Sequence, residues 1–206
     1  MSATETYNVD SKSYLKRARS QLDRHSYKGL FYAALELRFG IEARIQEYLE
    51  SHTHIPNKRK KEWQLSHLDK TILKYFGDTN RVTKVIIRPS KSPSKEMVCY
   101  YTPVTPELIS IGQRLGDLLH VQTKHHSPKD GFWKTTKGML EKAYKLLEIS
   151  NKGTLMGPPL WKEKGKSAVM VLMGSSDEET ESYHKTMQKG DRIVATIEHL
   201  NKFPEK

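Results

Sequence analysis

The sequence predicts an α+β protein that is mainly α: an antiparallel helical bundle with an inserted β-hairpin and a short C-terminal β-rich extension. Several long stretches repeat apolar residues at three- and four-residue spacing, which is the spacing of one face of a helix. Shorter runs rich in β-branched and aromatic residues indicate strands. We expect a bundle over residues 1–153, with the hairpin at about 81–102, and an extension over 154–206 that packs on the bundle.

The first predicted helix follows a polar leader. Ser11 or Ser13 can cap it, because a serine hydroxyl accepts a hydrogen bond from the exposed amides of a helix start. Leu15 and Leu22 lie on its apolar face, and the helix is expected to end near His25. The short connection that follows makes this helix and the next antiparallel neighbours.

The segment Tyr27–Glu50 has the strongest helical pattern in the chain. Its first half is apolar almost all round, which is typical of a helix in the middle of a bundle. Four charged residues are set into this surface: Glu36, Arg38, Glu42 and Arg44. Buried charges persist only when they are paired, and Arg38 and Glu42 are the nearest pair at i,i+4 spacing. We interpret these charges as structural pairs or as supports for a site on a neighbouring helix.

A third helix is expected to begin near Asn57, because Pro56 cannot continue the helix before it. Apolar residues at helical spacing extend it to Phe76. Its start carries a run of cations: Lys58, Arg59, Lys60 and Lys61. Cations at a helix start oppose the macrodipole and cost a little stability. The run is therefore either a phosphate-contacting patch or a solvated charge run between loop and helix.

A hairpin and two further helices are predicted next. The β-rich runs 82–87 and Met97–Tyr101 flank a turn rich in proline and serine. Thr105 as N-cap and Pro106 at the first helical position then start a helix that reaches Leu119 or Val121. The last amphipathic helix begins near residue 132 and is closed by Asn151 and Gly153.

Two strand candidates, 168–173 and 192–197, lie in the C-terminal extension. They are expected to join the hairpin in one small sheet, although the last of them is equally compatible with a short terminal helix. Trp63 and Trp133 are interpreted as core anchors. Trp161, in a basic and proline-rich segment, is either a third anchor or part of a loop that contacts RNA or a partner.

The charge balance favours an anionic partner. The chain has 35 Lys and Arg against 24 Asp and Glu, a formal net charge of +11 and a sequence pI near 9.6. Such a balance is typical of proteins that bind RNA, DNA or acidic protein surfaces. The single cysteine, Cys99, excludes an intramolecular disulfide and is expected to be a packed thiol. With neither a secretory signal pattern nor an apolar run of membrane-spanning length, we expect a cytoplasmic protein without a membrane partner.

Arg114, Asp117 and His120 are the polar residues that indicate chemistry. Steps of three residues place neighbours side by side on a helix, so the pattern brings an arginine and a histidine together. An arginine binds a phosphate in bidentate fashion, and a histidine moves a proton as acid or base. The pair suits metal-free RNA cleavage, in which the ribose 2′-OH attacks the adjacent phosphorus and the arginine stabilises the charge on the phosphoryl oxygens.

The segment 114–120 (RLGDLLH) also has the spacing of a family motif, R-x(4–6)-H, and the segments 14–18 (YLKRA) and 31–38 (FYAALELR) place small and aromatic residues on the first two helices. In these features, over roughly residues 11 to 150, the chain resembles the HEPN-domain family (higher eukaryotes and prokaryotes nucleotide-binding), including its AbiV-like bacterial toxin and defence members. The resemblance implies a HEPN-like bundle, a homodimer with a composite site, catalysis by Arg114 and His120, and no cofactor. Leu115 departs from the polar residue that many active members have after the arginine.

The resulting hypothesis is a metal-independent endoribonuclease that acts as a toxin or defence effector, with Asp117 supporting the catalytic pair and with a homodimeric or regulatory protein partner. A basic rim is expected to attract RNA and consists of Lys124, His125 and His126 together with the run 58–61. No metal site is expected, because the histidines, His52 and His54 among them, lack the spacing of a known zinc module. The alternatives are a non-catalytic basic module that binds nucleic acid or protein, and a bundle that faces a partner chain. In the structural alternative, Arg114 and Asp117 form a surface ion pair and His120 caps or packs near the helix end.

Overall fold

A computed structural model of the chain shows an α+β architecture in which helices predominate. The described residues are 6–53, 55–62, 64–76, 80–90, 96–121, 123–163, 166–169 and 192–204. The helices in this part are α1 Ser11–Leu22, α2 Tyr27–Glu50, α3 Asn57–Lys60, α4 Leu65–Phe76, α5 Pro106–Leu119 and α6 Gly131–Ser150. The strands are β1 Val82–Pro89, β2 Met97–Tyr101, β3 Leu160–Glu163, β4 Lys166–Val169 and β5 Ile193–Leu200.

Helix α2 lies at the centre of the bundle, as its pattern predicts. It packs against α1, α4, α5 and α6, and Leu37 and Ile41 are fully buried on it. The packing against α6 is close at Gly40, where an added Cβ would lie 2.8 Å from Leu147 Cδ2. A helix surrounded in this way cannot carry an open site on its apolar faces, so the candidate site lies where its neighbours leave a gap.

The charges on α2 are paired, as predicted. Arg38 Nε donates to Glu42 Oε1 in an i,i+4 ion pair. Glu36 accepts from Arg17 Nε of α1 at 2.8 Å. Arg44 is buried and donates to Glu47 Oε2 at 2.9 Å. Each charge that enters the apolar surface therefore meets an opposite charge, which offsets the cost of its burial.

The inserted hairpin is confirmed. Strands β1 and β2 pair antiparallel, with Val85 opposite the buried Cys99. Strand β5 pairs antiparallel with the other edge of β1, in the sheet order β2-β1-β5. The last candidate segment is therefore a strand and not a helix, and it joins the hairpin as expected.

The other C-terminal candidate does not join this sheet. Strand β4 pairs with β3 in a separate two-stranded sheet. It covers the start of the predicted segment 168–173, and the remainder of that segment lies outside the described residues. The division of the chain at residue 153 stays a prediction.

Several predicted helix ends were wrong. The N-cap of α1 is Asp10, whose carboxylate accepts from Ser13 N, whereas the Ser11 side chain turns inward and donates to Gly40 O at 2.9 Å. Helix α1 ends at Leu22, because the connection to α2 turns at once and places His25 at a φ of 49°. A tertiary contact and a tight turn decide these ends, and apolar spacing detects neither.

The helix expected from Asn57 to Phe76 is two helices. Helix α3 has only 4 residues, and Lys61 follows it outside helical geometry. Lys60 is buried, with its ammonium 3.7 Å from Glu50 Oε2 and 3.5 Å from the Glu50 carbonyl. This tie to the end of α2 and the cations that oppose the macrodipole both favour a short turn of helix here over a continuous one.

Candidate functional site

His120 lies just beyond the last turn of α5. It is the C-cap residue, with φ −70° and ψ 161°, and its backbone N–H donates to Asp117 O. Its side chain is exposed. The predicted helical stripe is therefore interrupted, because Arg114 and Asp117 are helical and His120 is extended. Helix α5 ends before Val121, which is 93% exposed.

Two clefts lie on either side of Asp117. The first, of about 320 Å³, is called the His120 cleft and is lined by Arg38, Gln64, Leu65, Ser66, Gln113, Gly116, Asp117 and His120. The second, of about 360 Å³, is called the Arg114 cleft and is lined by Arg114, Asp117, Leu118, Phe132, Thr135, Thr136 and Met139. Among the residues that the structure describes, Asp117 alone lines both. Within one chain, the structure does not bring Arg114 and His120 into the same cleft.

The arginine in the His120 cleft is Arg38 of α2. Its Nε binds Glu42, and its Nη1 donates to the Gly112 carbonyl of α5 at 2.7 Å. Its Nη2 has no hydrogen-bond partner within the described residues. The side chain is 15% exposed, so it is mostly enclosed yet reaches the cleft. Two hydrogen bonds to different helices hold the guanidinium in one orientation, and its remaining N–H groups are available to an anion.

Helix α5 makes room for this guanidinium at Gly116, which has no side chain. A Cβ added there would lie 3.1 Å from Arg38 Nη1. At Gly112, one turn earlier, an added Cβ would lie 2.5 Å from Leu65 Cδ1 and 3.2 Å from Ile41 Cδ1. The two glycines therefore let α5 approach α2 and α4 closely, and they place the end of α5 beside Arg38.

Glu42 is the electrostatic counterpart of Arg38. Burial raises the pKa of this carboxyl above its ordinary value, and the hydrogen bond and charge of Arg38 only partly offset that effect. The ionised carboxylate therefore depends on Arg38. Any change that moves the guanidinium leaves Glu42 as a poorly solvated charge.

Exposed cations flank the His120 cleft along the chain. Lys124 and His125 are exposed and follow His120 closely. On the other side, Lys58, Arg59 and Lys61 are exposed and precede Gln64, which lines the cleft. Lys60, predicted with them, is instead buried against Glu50. The exposed members lie within a few residues of the cleft lining, and this short chain distance limits how far they are from it.

His126 has a structural environment that differs from the predicted basic rim. Its ring stacks on Phe132 at a centroid distance of 3.8 Å, and its Nδ1 lies 3.0 Å from Asp130 Oδ2. Asp130 caps α6, and the backbone N–H of Phe132 and the His126 side chain lower the pKa of its carboxyl. His126 therefore helps to form the turn into α6.

One of the three predicted roles of the tryptophans can be compared with the structure. Trp133 is partly buried against the core and stacks on Tyr27 at 4.1 Å, in agreement with its predicted role as an anchor. Trp63 and the side chain of Trp161 lie outside the described residues. Their predicted roles stay predictions.

Sequence reasoning marked Arg38 as one of four charges that form structural pairs or support a site on a neighbouring helix, but it did not assign Arg38 to the cleft of His120. The i,i+4 spacing to Glu42 is visible in the sequence. The contact with α5 depends on how two helices pack, and the Gly112 and Gly116 spacing is the only local sign of it. Glycines one turn apart on one helix face permit the close approach that brings Arg38 to the cleft.

Neither a metal centre nor a membrane span appears in the described part of the chain. Across those ranges, His, Cys, Asp and Glu side chains nowhere form a group of three or more suited to a metal ion. None of the described helices combines the length and the apolar composition that crossing a bilayer requires.

Comparisons of this chain with family models, curated proteins and solved structures gave no significant match.

Proposed function

We propose that this protein is a metal-independent endoribonuclease whose reaction takes place in the His120 cleft. The observation that carries the proposal is the shared position of His120 and Arg38. A side chain that transfers protons and a fixed, permanently charged phosphate ligand line one open cleft. The cations on both sides of it, and the net charge of +11, favour a polyanionic substrate.

The chemistry needs only the RNA and these side chains. A ring nitrogen of His120 takes the proton of a ribose 2′-OH, and the 2′-oxygen forms a bond to the adjacent phosphorus. The bond from phosphorus to the 5′-oxygen of the next nucleotide breaks, and water protonates that oxygen. His120 then returns its proton to solvent. An arginine stabilises the charge that develops on the phosphoryl oxygens, which is the largest contribution available in such a site.

The products follow from these bond changes. One fragment ends in a 2′,3′-cyclic phosphate and the other begins with a 5′-OH. A substrate that lacks the 2′-OH cannot react by this route, so DNA of the same sequence is expected to bind without being cut. RNA, and specifically a segment whose ribose is accessible, is the proposed substrate class.

The fold proposal is a HEPN-like bundle, and the assembly proposal is a homodimer. The order of α1, α2 and α5 and the position of the arginine-histidine segment at the end of α5 support the first. The homodimer rests on the resemblance of that segment to the family motif. A role as a toxin or defence effector rests on the same resemblance.

The test compares the wild type with His120→Ala on a mixed RNA substrate. We expect the variant to lose at least about 100-fold in cleavage rate, because the removal of a general acid or base typically costs 10²–10⁴-fold. Arg24→Ala is the control, since Arg24 is an exposed arginine in the turn between α1 and α2. A folded His120→Ala protein that cleaves at the wild-type rate would remove His120 from the mechanism.

A second candidate function is a basic module that binds nucleic acid without cutting it. The separation of Arg114 and His120 into two clefts favours it, because the motif residues do not meet within one chain. Binding of RNA that weakens steeply with salt, together with no cleavage by the wild type, would select this function over the first.

A further inference from the structure

We propose that Arg38, and not Arg114, is the arginine that contacts the scissile phosphate beside His120. This inference rests on the proposed ribonuclease function and deepens it, because it assigns the phosphate ligand within that site. Arg114, in the neighbouring cleft, then contacts RNA away from the reacting atoms.

The two arginines line different clefts. Arg38 and His120 line the same cleft, with Gln64, Ser66 and Gln113 as further polar side chains on its walls. Arg114 lines the other cleft, whose walls include Leu118, Phe132 and Met139. A phosphate within reach of His120 in one chain therefore meets Arg38 first.

The guanidinium of Arg38 is held in place before any substrate binds. Stabilisation of a transition state is most effective when the donor is already fixed where charge develops and needs no reorganisation. Arg38 is fixed by Glu42 on its own helix and by the Gly112 carbonyl of α5, at 2.7 Å. Arg114 is exposed, and no ion pair joins it to Asp117 among the described residues. Only Arg38 has the rigidity that this role requires.

The guanidinium of Arg38 has little free space on the side of α5. Gly116 faces Arg38 Nη1 without a side chain. A methyl group at this position would crowd the Nη1 atom at 3.1 Å, so the guanidinium would have to shift by a few tenths of an ångström. Such a shift is small for folding, but it uses up most of the tolerance of about 0.5 Å within which a catalytic group must be held. Gly116→Ala therefore perturbs Arg38 without removing it.

The proposed roles of Arg38 and Arg114 predict different effects on kcat and KM. A group that contacts the reacting phosphate in the transition state changes kcat, whereas a group that holds the substrate equally before and during the reaction changes KM. Arg38 is expected to belong to the first class. Arg114 is expected to belong to the second, since its cleft adjoins the site across Asp117.

The experiment measures kcat and KM on one short RNA for the wild type, Arg38→Lys, Arg114→Ala, His120→Ala and the control Arg24→Ala. We expect Arg38→Lys to lower kcat about 100-fold or more with KM changed less than about 3-fold, as for the loss of one preorganised donor. Arg114→Ala is expected to raise KM several-fold with kcat within about 3-fold. Gly116→Ala is expected to lower kcat about 10-fold.

A double variant tests the role of Arg38 even if the single Arg38 variant fails to fold. Arg38→Gln combined with Glu42→Gln removes both charges of the pair, so that neither is left buried and unpaired. We expect this protein to melt near the wild-type temperature and to show the same loss of kcat as Arg38→Lys. Binding of an RNA with a 2′-deoxy nucleotide at the cut site, which cannot react, gives a second readout that is independent of cleavage.

The possible results separate the two proposals. A 100-fold loss of kcat in Arg114→Ala, with Arg38→Lys near the wild type, overturns this inference and leaves the ribonuclease in place. If Arg114→Ala and His120→Ala are each inactive alone, recovery of cleavage on mixing them also overturns it, because the partner's Arg114 would then complete the site. No cleavage by the wild type, or full cleavage by His120→Ala, instead overturns the proposed function and the inference with it.

Discussion

At the scale of single residues, Glu42 makes the stability of the protein depend on pH. Burial raises the pKa of its carboxyl above the ordinary value of 4.5, so the folded state binds a proton more tightly than the unfolded state. The free energy of unfolding contributed by this group is therefore highest below pH 4.5 and falls as pH rises through the raised pKa. Arg38 limits this loss, because its charge and its hydrogen bond favour the carboxylate.

Replacement of Arg38 by Gln should widen that pH window. We expect Arg38→Gln to lose about 2 kcal/mol of unfolding free energy at pH 7 and clearly less at pH 4. Adding Glu42→Gln should restore most of the loss at pH 7. Urea denaturation of the three proteins at both pH values measures this. Equal losses at pH 4 and pH 7 would show that the two charges are not coupled.

Residue pairs on one element were the most predictable part of the site. The Arg38 and Glu42 pair follows from i,i+4 spacing on a strongly patterned helix, and the structure confirms it. The contact between Arg38 and the Gly112 carbonyl joins residues of different helices. The Gly112 and Gly116 spacing indicates a close approach of α5 to a neighbour, but it does not say to which helix. The arginine in the His120 cleft was therefore identified only once α2 and α5 were packed.

At the scale of elements, the approach of α5 to α2 and α4 depends on Gly112. An added Cβ at this position would overlap Leu65 and crowd Ile41, and overpacking of a core typically costs about 1–3 kcal/mol. Gly138, in α6, has no other atom within 4 Å of an added Cβ. Alanine there gains only helix propensity, about 0.5–1 kcal/mol.

The two glycines form a matched pair of substitutions. We expect Gly112→Ala to lower the melting temperature and Gly138→Ala to raise it slightly, as measured by thermal unfolding followed by circular dichroism. If Gly112→Ala were as stable as Gly138→Ala, the close packing of α5 on α4 would not be a feature of the protein in solution.

Helices were easier to predict than their ends. The apolar spacing of α5 is regular, and its start at Thr105 and Pro106 was identified correctly because both residues have known capping roles. Its C-terminal end carries no comparable signal. A difference of one residue there decides whether His120 is on the helix beside Arg114 or extended into the other cleft.

At the scale of the whole molecule, the sheet connects distant parts of the chain. Strand β5 pairs with β1 along its length, from Val82 opposite Leu200 to Pro89 opposite Ile193. The β-rich composition of the first segment was sufficient to predict a strand. The composition of the last segment suggested a strand in the same sheet but was equally compatible with a short terminal helix. Which C-terminal strand would join the hairpin depends on long-range packing, and the local pattern did not distinguish the two.

The distribution of charge predicts that the proposed binding of RNA depends on salt. Lys58, Arg59 and Lys61 are exposed and precede Gln64, which lines the His120 cleft, by three to six residues. Each phosphate contact on a single strand contributes about 0.7 to the slope of log K against log salt. Replacing all three by Ala should therefore reduce the slope by about 2. A control that replaces Lys137, Lys145 and Lys152 removes the same charge elsewhere. Equal slopes for the two triple variants would place the RNA outside the cleft.

In the proposed reaction, His120 promotes attack of a ribose 2′-OH without a metal. The most direct measurement incubates the wild type and His120→Ala with RNA in excess chelator and identifies the ends of the fragments. We expect 2′,3′-cyclic phosphate and 5′-OH ends from the wild type and intact RNA from His120→Ala. Fragments with 5′-phosphate ends, or cleavage that stops in chelator, would contradict it.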